Sequence, residues 1–146
     1  MEINLALVCD YAIVDRFGKL SIMGIFEQLW INRFPAVHPR VHLVLRLKGR
    51  RTEIGKHRVR IRFMNDTDEE IINGDGVFEF NEPPAGVTEI EAGTVLVFDL
   101  PLAKAGPYRF HIAVDDEVTT AVKLNVVQVP NPPHFAQQPP PPGSMS

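Results

Sequence analysis

The sequence predicts an all-β chain, an antiparallel two-sheet sandwich followed by a proline-rich tail. Three observations carry this. Apolar residues recur with period two over most of residues 1–129. Turn-forming residues interrupt the pattern at short intervals. No amphipathic stretch of helical length is present.

Residues Ile3 to Val14 are apolar on both parities, Leu5, Leu7 and Cys9 as well as Ala6 and Val8. A strand covered on both faces does this, and so does a buried helix; periodicity alone does not separate them. Asp15-Arg16-Phe17-Gly18-Lys19 forms a turn signal with Gly18 suited to positive φ. Leu20 to Phe34 then extends as a second long strand, making a hairpin, with Gly24 marking a bulge.

Further on, Val41, Leu43, Leu45 and Leu47 alternate with His42, Val44, Arg46 and Lys48. Val59, Ile61 and Phe63 alternate with Arg58, Arg60 and Arg62. Phe78 and Phe80 flank Glu79, and Leu96, Phe98 and Leu100 continue less cleanly. Tyr108, Phe110, Ile112 and Val114, then Val118, Thr120, Val122, Leu124 and Val126, complete the set around an Asp115-Asp116 turn. Each set turns one apolar face inward and one wet face outward. Gly49 to Gly55, Asn73-Gly74-Asp75-Gly76, Pro83-Pro84, Gly93 and Pro101 to Pro107 supply further turn signals.

Leu100-Pro-Leu-Ala-Lys-Ala-Gly106-Pro-Tyr108-Arg-Phe110 resembles the tyrosine-corner strand of immunoglobulin-like sandwiches, with Lys104 where an acidic residue is usual. The resemblance implies an immunoglobulin-like β-sandwich and says nothing of ligand. A wider resemblance rests on Leu7-Val-Cys-Asp-Tyr-Ala-Ile-Val-Asp15, Gly18-Lys-Leu-Ser-Ile-Met-Gly-Ile-Phe26 and Phe34-Pro-Ala-Val-His-Pro-Arg40. These are similar to a family of uncharacterised small bacterial proteins, over most of residues 3–127. That family implies a small bacterial β-domain and transfers no catalytic residue.

The domain occupies 1–129. Seven of the 13 prolines fall in 130–146, a segment without Asp, Glu, Lys or Arg. Proline fixes φ and removes backbone donors, so this tail is disordered or extended. Its His134-Phe135 pair is a candidate anchor on a partner, and Pro139 to Pro142 a candidate polyproline ligand.

The chain has 146 residues, a net charge of −3 and 45% hydrophobic residues, which exclude wholesale disorder. One cysteine, Cys9, excludes a disulfide framework and a cysteine-based zinc site. No apolar run approaches the ~20 residues of a membrane helix and no leader pattern is visible, so a cytoplasmic protein is expected.

Charge is segregated. Residues 40–62 hold nine basic side chains against Glu53; residues 66–99 hold ten acids and no Lys or Arg. Pairing 41–49 with 57–64 as a hairpin would stack Arg46 and Lys48 near Arg58, Arg60 and Arg62, which is unfavourable unless compensated. Glu79, Glu89 and Glu91 on neighbouring strands supply an intrachain compensation. The acidic face of a second copy supplies another, and that contact is head-to-tail. A polyanion supplies a third, disfavoured by the negative net charge and by the lack of aromatic stacking residues among the arginines.

Asp66, Asp68 and Asp75 are weak candidates for calcium, but the EF-hand pattern fails because Ile71 stands where glycine is needed. His38 and His42 are held out of register by Pro39, and His57 and His111 fall on faces that look solvated. No nucleophile–base pair, phosphate loop or metal spacing is found, so no cofactor is expected. The expectation is a non-catalytic interaction or assembly subunit. It works through Arg46, Lys48, Arg58, Arg60 and Arg62, through Glu79, Glu89 and Glu91, and through the tail. Its expected partner is protein, copies of itself included. Nucleic acid and calcium stand as alternatives.

Overall fold

A computed structural model describes residues 1–130. The strands are β1 (Glu2–Val14), β2 (Leu20–Ile25), β3 (Gln28–Ile31), β4 (Ala36–Arg50), β5 (Gly55–Met64), β6 (Glu70–Phe80), β7 (Glu89–Leu102), β8 (Gly106–Val114) and β9 (Val118–Gln128). One 3-10 turn, Arg51–Glu53, joins β4 to β5. They form a four-stranded sheet in the order β2-β1-β4-β7 and a five-stranded sheet in the order β3-β9-β8-β5-β6. The candidate sites lie on the outer faces and rims of these two layers.

Alternation builds the shared core. Leu43, Leu45 and Leu47 of β4 face Val59, Ile61 and Phe63 of β5 and Phe110, Ile112 and Val114 of β8 in one cluster, all 0–1% exposed. The phenylalanines carry much of it: Phe63 packs at 4.7 Å from Phe110 and 5.3 Å from Tyr108, centroid to centroid. The Tyr108 hydroxyl donates to the Lys104 carbonyl at 2.6 Å, the bond a tyrosine corner requires.

The double-sided apolarity of β1 belongs to a strand. Val8 faces the main core, while Leu7 and Cys9 join a second cluster with Ala12, Leu20, Ile22, Val44 and Val95. That cluster combines the β1–β2 hairpin with β4 and β7, on the side of β4 away from the main core.

Three expectations are corrected. Leu20 to Phe34 is not one strand. It breaks after Ile25, next to Gly24 at φ 69°, and β3 crosses to the other sheet to run parallel to β9. Strands β4 and β5 do not pair; β4 lies between β1 and β7, and β5 between β6 and β8. The 3-10 turn carries the chain from one layer to the other, so Arg46 and Lys48 sit on a different sheet from Arg58, Arg60 and Arg62. Finally, Gly49, Gly74, Gly76 and Gly93 are strand-interior residues rather than turns. Each leaves room for an opposing side chain: a Cβ on Gly49 would stand 2.8 Å from the Phe80 ring, and one on Gly76 2.8 Å from Leu96. Small residues that admit a neighbour carry the same letter as small residues that turn.

Phe80 is fully buried, so a Cβ on Gly49 would have to displace its ring within the core. Gly49→Ala is therefore expected to destabilise the fold by about 1–3 kcal/mol. Urea denaturation would show a lower midpoint with an unchanged slope.

Candidate functional site

The arginine stripe of β5 lies on the outer face of the five-stranded sheet. Period-two alternation sends Val59, Ile61 and Phe63 inward and Arg58, Arg60 and Arg62 outward. Register supplies the acids. Asp75 of β6 stands opposite Arg60, at 4.0 Å from it and 3.1 Å from Arg58. Asp116 of the β8–β9 turn reaches Arg60 at 3.3 Å, and Glu70 reaches Arg62 at 3.2 Å. The intrachain compensation exists, with different partners from those expected. Glu79 is opposite Lys56 and Glu89 opposite Arg50; of the three expected acids Glu91 meets a proposed base, Lys48, at 3.8 Å. Arg46 donates to the Asn4 side chain at 3.4 Å.

A depression of about 450 Å³ lies along this face, lined by Arg60, Arg62, Glu70, His111, Asp116 and Thr119. The charges lining it are paired with one another. Each such pair is half-exposed and contributes at most about 1 kcal/mol.

The acidic candidates for calcium are dispersed onto bases. Asp66 pairs with Lys104 at 3.1 Å, Asp68 with Arg109, and Asp75 with the β5 arginines. Among the described residues no group of three or more His, Cys, Asp or Glu is placed to hold a metal. His134 and Phe135 lie outside the described residues.

His57, expected on a wet face, shares the inward parity of β5 and is mostly buried. Its ring stacks on Phe78 at 5.2 Å. Both ring nitrogens meet acceptors, Nδ1 at 2.5 Å from Asp115 and Nε2 at 2.6 Å from the Glu53 carbonyl. Only the imidazolium donates both bonds. Burial pushes the His57 pKa down, but the bonds to Asp115 and Glu53 outweigh it and the net shift is upward. Asp115 moves the other way: burial raises its pKa, yet His57 and the Arg58 amide, 3.0 Å away, bring it below its ordinary value.

A second concavity, of about 460 Å³, lies where β1 leaves β4 and meets the end of β2. Its construction is specific. The β4–β7 register slips between His38 and Val41, and Arg40 in the slip has φ 52°. A non-glycine residue there costs about 1–3 kcal/mol unless its surroundings hold it. They do: Asp99 accepts the Arg40 amide at 2.9 Å. The strained peptide in turn sets His42, whose Nδ1–H donates to the Arg40 carbonyl at 2.9 Å. A carbonyl only accepts, so the Nδ1 proton is fixed and, in the neutral ring, Nε2 keeps a lone pair. Tyr11 leans on this ring at 5.4 Å, and Phe26 meets His38 edge-on at 6.1 Å. Burial lowers the His38 pKa, against the pull of Asp10. Burial raises the pKa of Cys9 beside them, and its thiol donates to the Tyr11 carbonyl at 3.4 Å.

This concavity escaped the sequence reading because a bulge is invisible to period-two counting. Pro39 inside a strand was its one signal. The three segments that carried the wider resemblance meet here, contributing Asp10 and Tyr11, Phe26, and His38 to Arg40. A family model confirms that resemblance over residues 4–127. The chain belongs to the family of unknown function DUF6941. A comparison with curated proteins gives no match to this DUF6941 chain.

The His57 clasp gives the DUF6941 domain a pH-dependent stability. The histidine's contribution is complete below its ordinary pKa of about 6.5 and is lost as pH rises through the higher folded value. Asp115's contribution is complete above the ordinary carboxylate range, about pH 4, and is lost as pH falls through its lowered value. The pair is therefore fully stabilising between about pH 4 and 6.5. Urea midpoints of wild type and His57→Gln, followed from pH 5 to about pH 9, are expected to converge at the alkaline end. A gap that stays constant would show that the clasp contributes no proton linkage.

Proposed function

We propose that this DUF6941 domain is a non-catalytic protein-interaction subunit with an immunoglobulin-like arrangement, and that copies of it associate through the β1–β2 hairpin. One observation carries the reading. The charged sheet face is largely neutralised within the chain, whereas the hairpin presents large apolar side chains to water. Met23 is 65% exposed, Ile25 61%, Tyr11 51% and Phe17 74%. Tyr11 and Met23 stand directly opposite each other and so share a face.

The hairpin's outer strand is also a sheet edge, since β2 ends the four-stranded order. Leu20-Ser21-Ile22-Met23-Gly24-Ile25 has no charge and no proline to blunt it. An uncharged edge can pair antiparallel with a second copy of itself without setting like charges opposite one another. A contact of this kind is driven by apolar burial, unlike the basic-to-acidic matching expected from the charge segregation. Salt separates the two, because it screens ion pairs and strengthens apolar association.

Sedimentation velocity over a range of protein concentrations should show self-association that persists in about 0.5 M salt. Met23→Glu with Ile25→Lys should return a monomer. A monomer at every concentration removes self-association, and an association abolished by salt returns it to the charged faces.

A further inference from the structure

We infer that the concavity between Asp10, Tyr11, His42 and Val97 is a binding site for a primary ammonium group on a short apolar stem, carried by a small amine or by a lysine side chain. The inference does not rest on the self-association proposed above, although Tyr11 belongs to both surfaces.

Two acceptors line this concavity, the His42 imidazole and the Asp10 carboxylate, together with His38, the Tyr11 hydroxyl and Arg40. His42 is 9% exposed, and its Nδ1 is spent on the Arg40 carbonyl. Among the described residues no buried side-chain nitrogen or oxygen lacks a hydrogen-bond partner, and none of them bonds Nε2 of His42. That atom is therefore not fully buried, and His42 is one of the residues that line the concavity. A buried ring whose tautomer is set by a strained peptide, itself held by Asp99, is a pre-positioned acceptor.

Asp10 supplies the charge. Among the described residues it makes no ion pair, and its carboxylate lies against Gly24: a Cβ there would come within 2.4 Å of Oδ2. Gly24, at φ 69°, thus keeps open the place the carboxylate occupies. Asp10's charge also acts on His38 and Cys9, which line the same concavity. Arg40 also contributes to the wall, but its amide and carbonyl are committed to Asp99 and His42. Its residue is exposed, so the long side chain can carry its guanidinium into water.

An ammonium has three donors and no acceptor, which matches a carboxylate and an imidazole lone pair. A carboxylate ligand would meet Asp10 as a like charge. The remaining lining suits a stem: Val97, Val41 and the rings of Tyr11 and Phe26. Aromatic faces add attraction for a cation within about 6 Å.

The test is an NMR titration of the full chain with butylamine, and with its isosteres butanol and butyrate. Amide and imidazole signals of residues 9–11 and 38–42 report binding. Butylamine is expected to give saturable shifts there, with the isosteres at least about tenfold weaker. Asp10→Asn, at an exposed position, should weaken butylamine by about tenfold or more while leaving the rest of the spectrum unchanged. Gly24→Ala should weaken it by displacing the carboxylate, and serves if Asp10→Asn does not fold. A parallel titration with Nα-acetyl-lysine amide identifies the source: tighter binding than butylamine indicates a lysine side chain, weaker binding a free amine. The proposal falls if butanol or butyrate binds as well as butylamine, or if both variants bind it normally. It falls equally if no saturable shift appears up to about 100 mM amine.

Discussion

Strand β4 is the constraint on which the rest is built, because it is buried on both sides. Leu43, Val44 and Leu45 are 0% exposed in succession. Alternate side chains point to opposite faces, so two separate apolar layers must meet this one strand. The five-stranded sheet supplies the first. The second is the β1–β2 hairpin, whose Ala12, Leu20 and Ile22 pack with Val44 and Val95. Without that second layer, Val44 and Cys9 would face water, at roughly 1.5–3 kcal/mol for a buried aliphatic side chain. The hairpin is thus structural on one side and exposed on the other. That division lets its outer surface carry apolar residues without loss to the core.

The same strand organises the electrostatics. Its passage through the 3-10 turn into the other layer parts the basic residues that sequence proximity groups together. Arg46 and Lys48 lie on one sheet, and Arg58, Arg60 and Arg62 on the other. Asp75, Asp116 and Glu70 then suffice to pair the three β5 arginines. Since each exposed pair contributes little, their main effect is to cancel a like-charge column rather than to add stability. Neutralisation of the β5 arginines is therefore local, strand by strand.

What the residue order made legible follows from the kind of signal each feature emits. Period-two runs disclosed β4, β5, β8 and β9, because inward residues such as Ile61 and Phe110 alternate with wet ones. The Tyr108 corner was legible because its bond is local, to a carbonyl four residues upstream. Strand order was not legible. Whether β4 pairs with β5 depends on a three-residue turn whose geometry Arg51-Thr52-Glu53 does not announce. Glycines misled for a related reason: Gly49 and Gly76 answer to Phe80 and Leu96, residues far away along the chain. The His42 concavity was hidden more deeply, since it needs a register slip, a positive φ at Arg40 and an aspartate 59 residues away to hold it.

That last arrangement argues that the slip is maintained rather than merely tolerated. Pairing of β1 with β4 ends at His42, so around Arg40 the ladder to β7 is the one interrupted, and Arg40 in the left-handed region adds strain of its own. Asp99 lies on β7, the very strand whose register is broken, and it spends its carboxylate on the Arg40 amide. The carbonyl of the same residue is turned to His42. A regular strand would leave both groups in the ladder and His42 without its Nδ1 acceptor. The distortion thus exchanges ladder hydrogen bonds for one oriented imidazole, and orientation of a buried polar group serves recognition more directly than it serves packing.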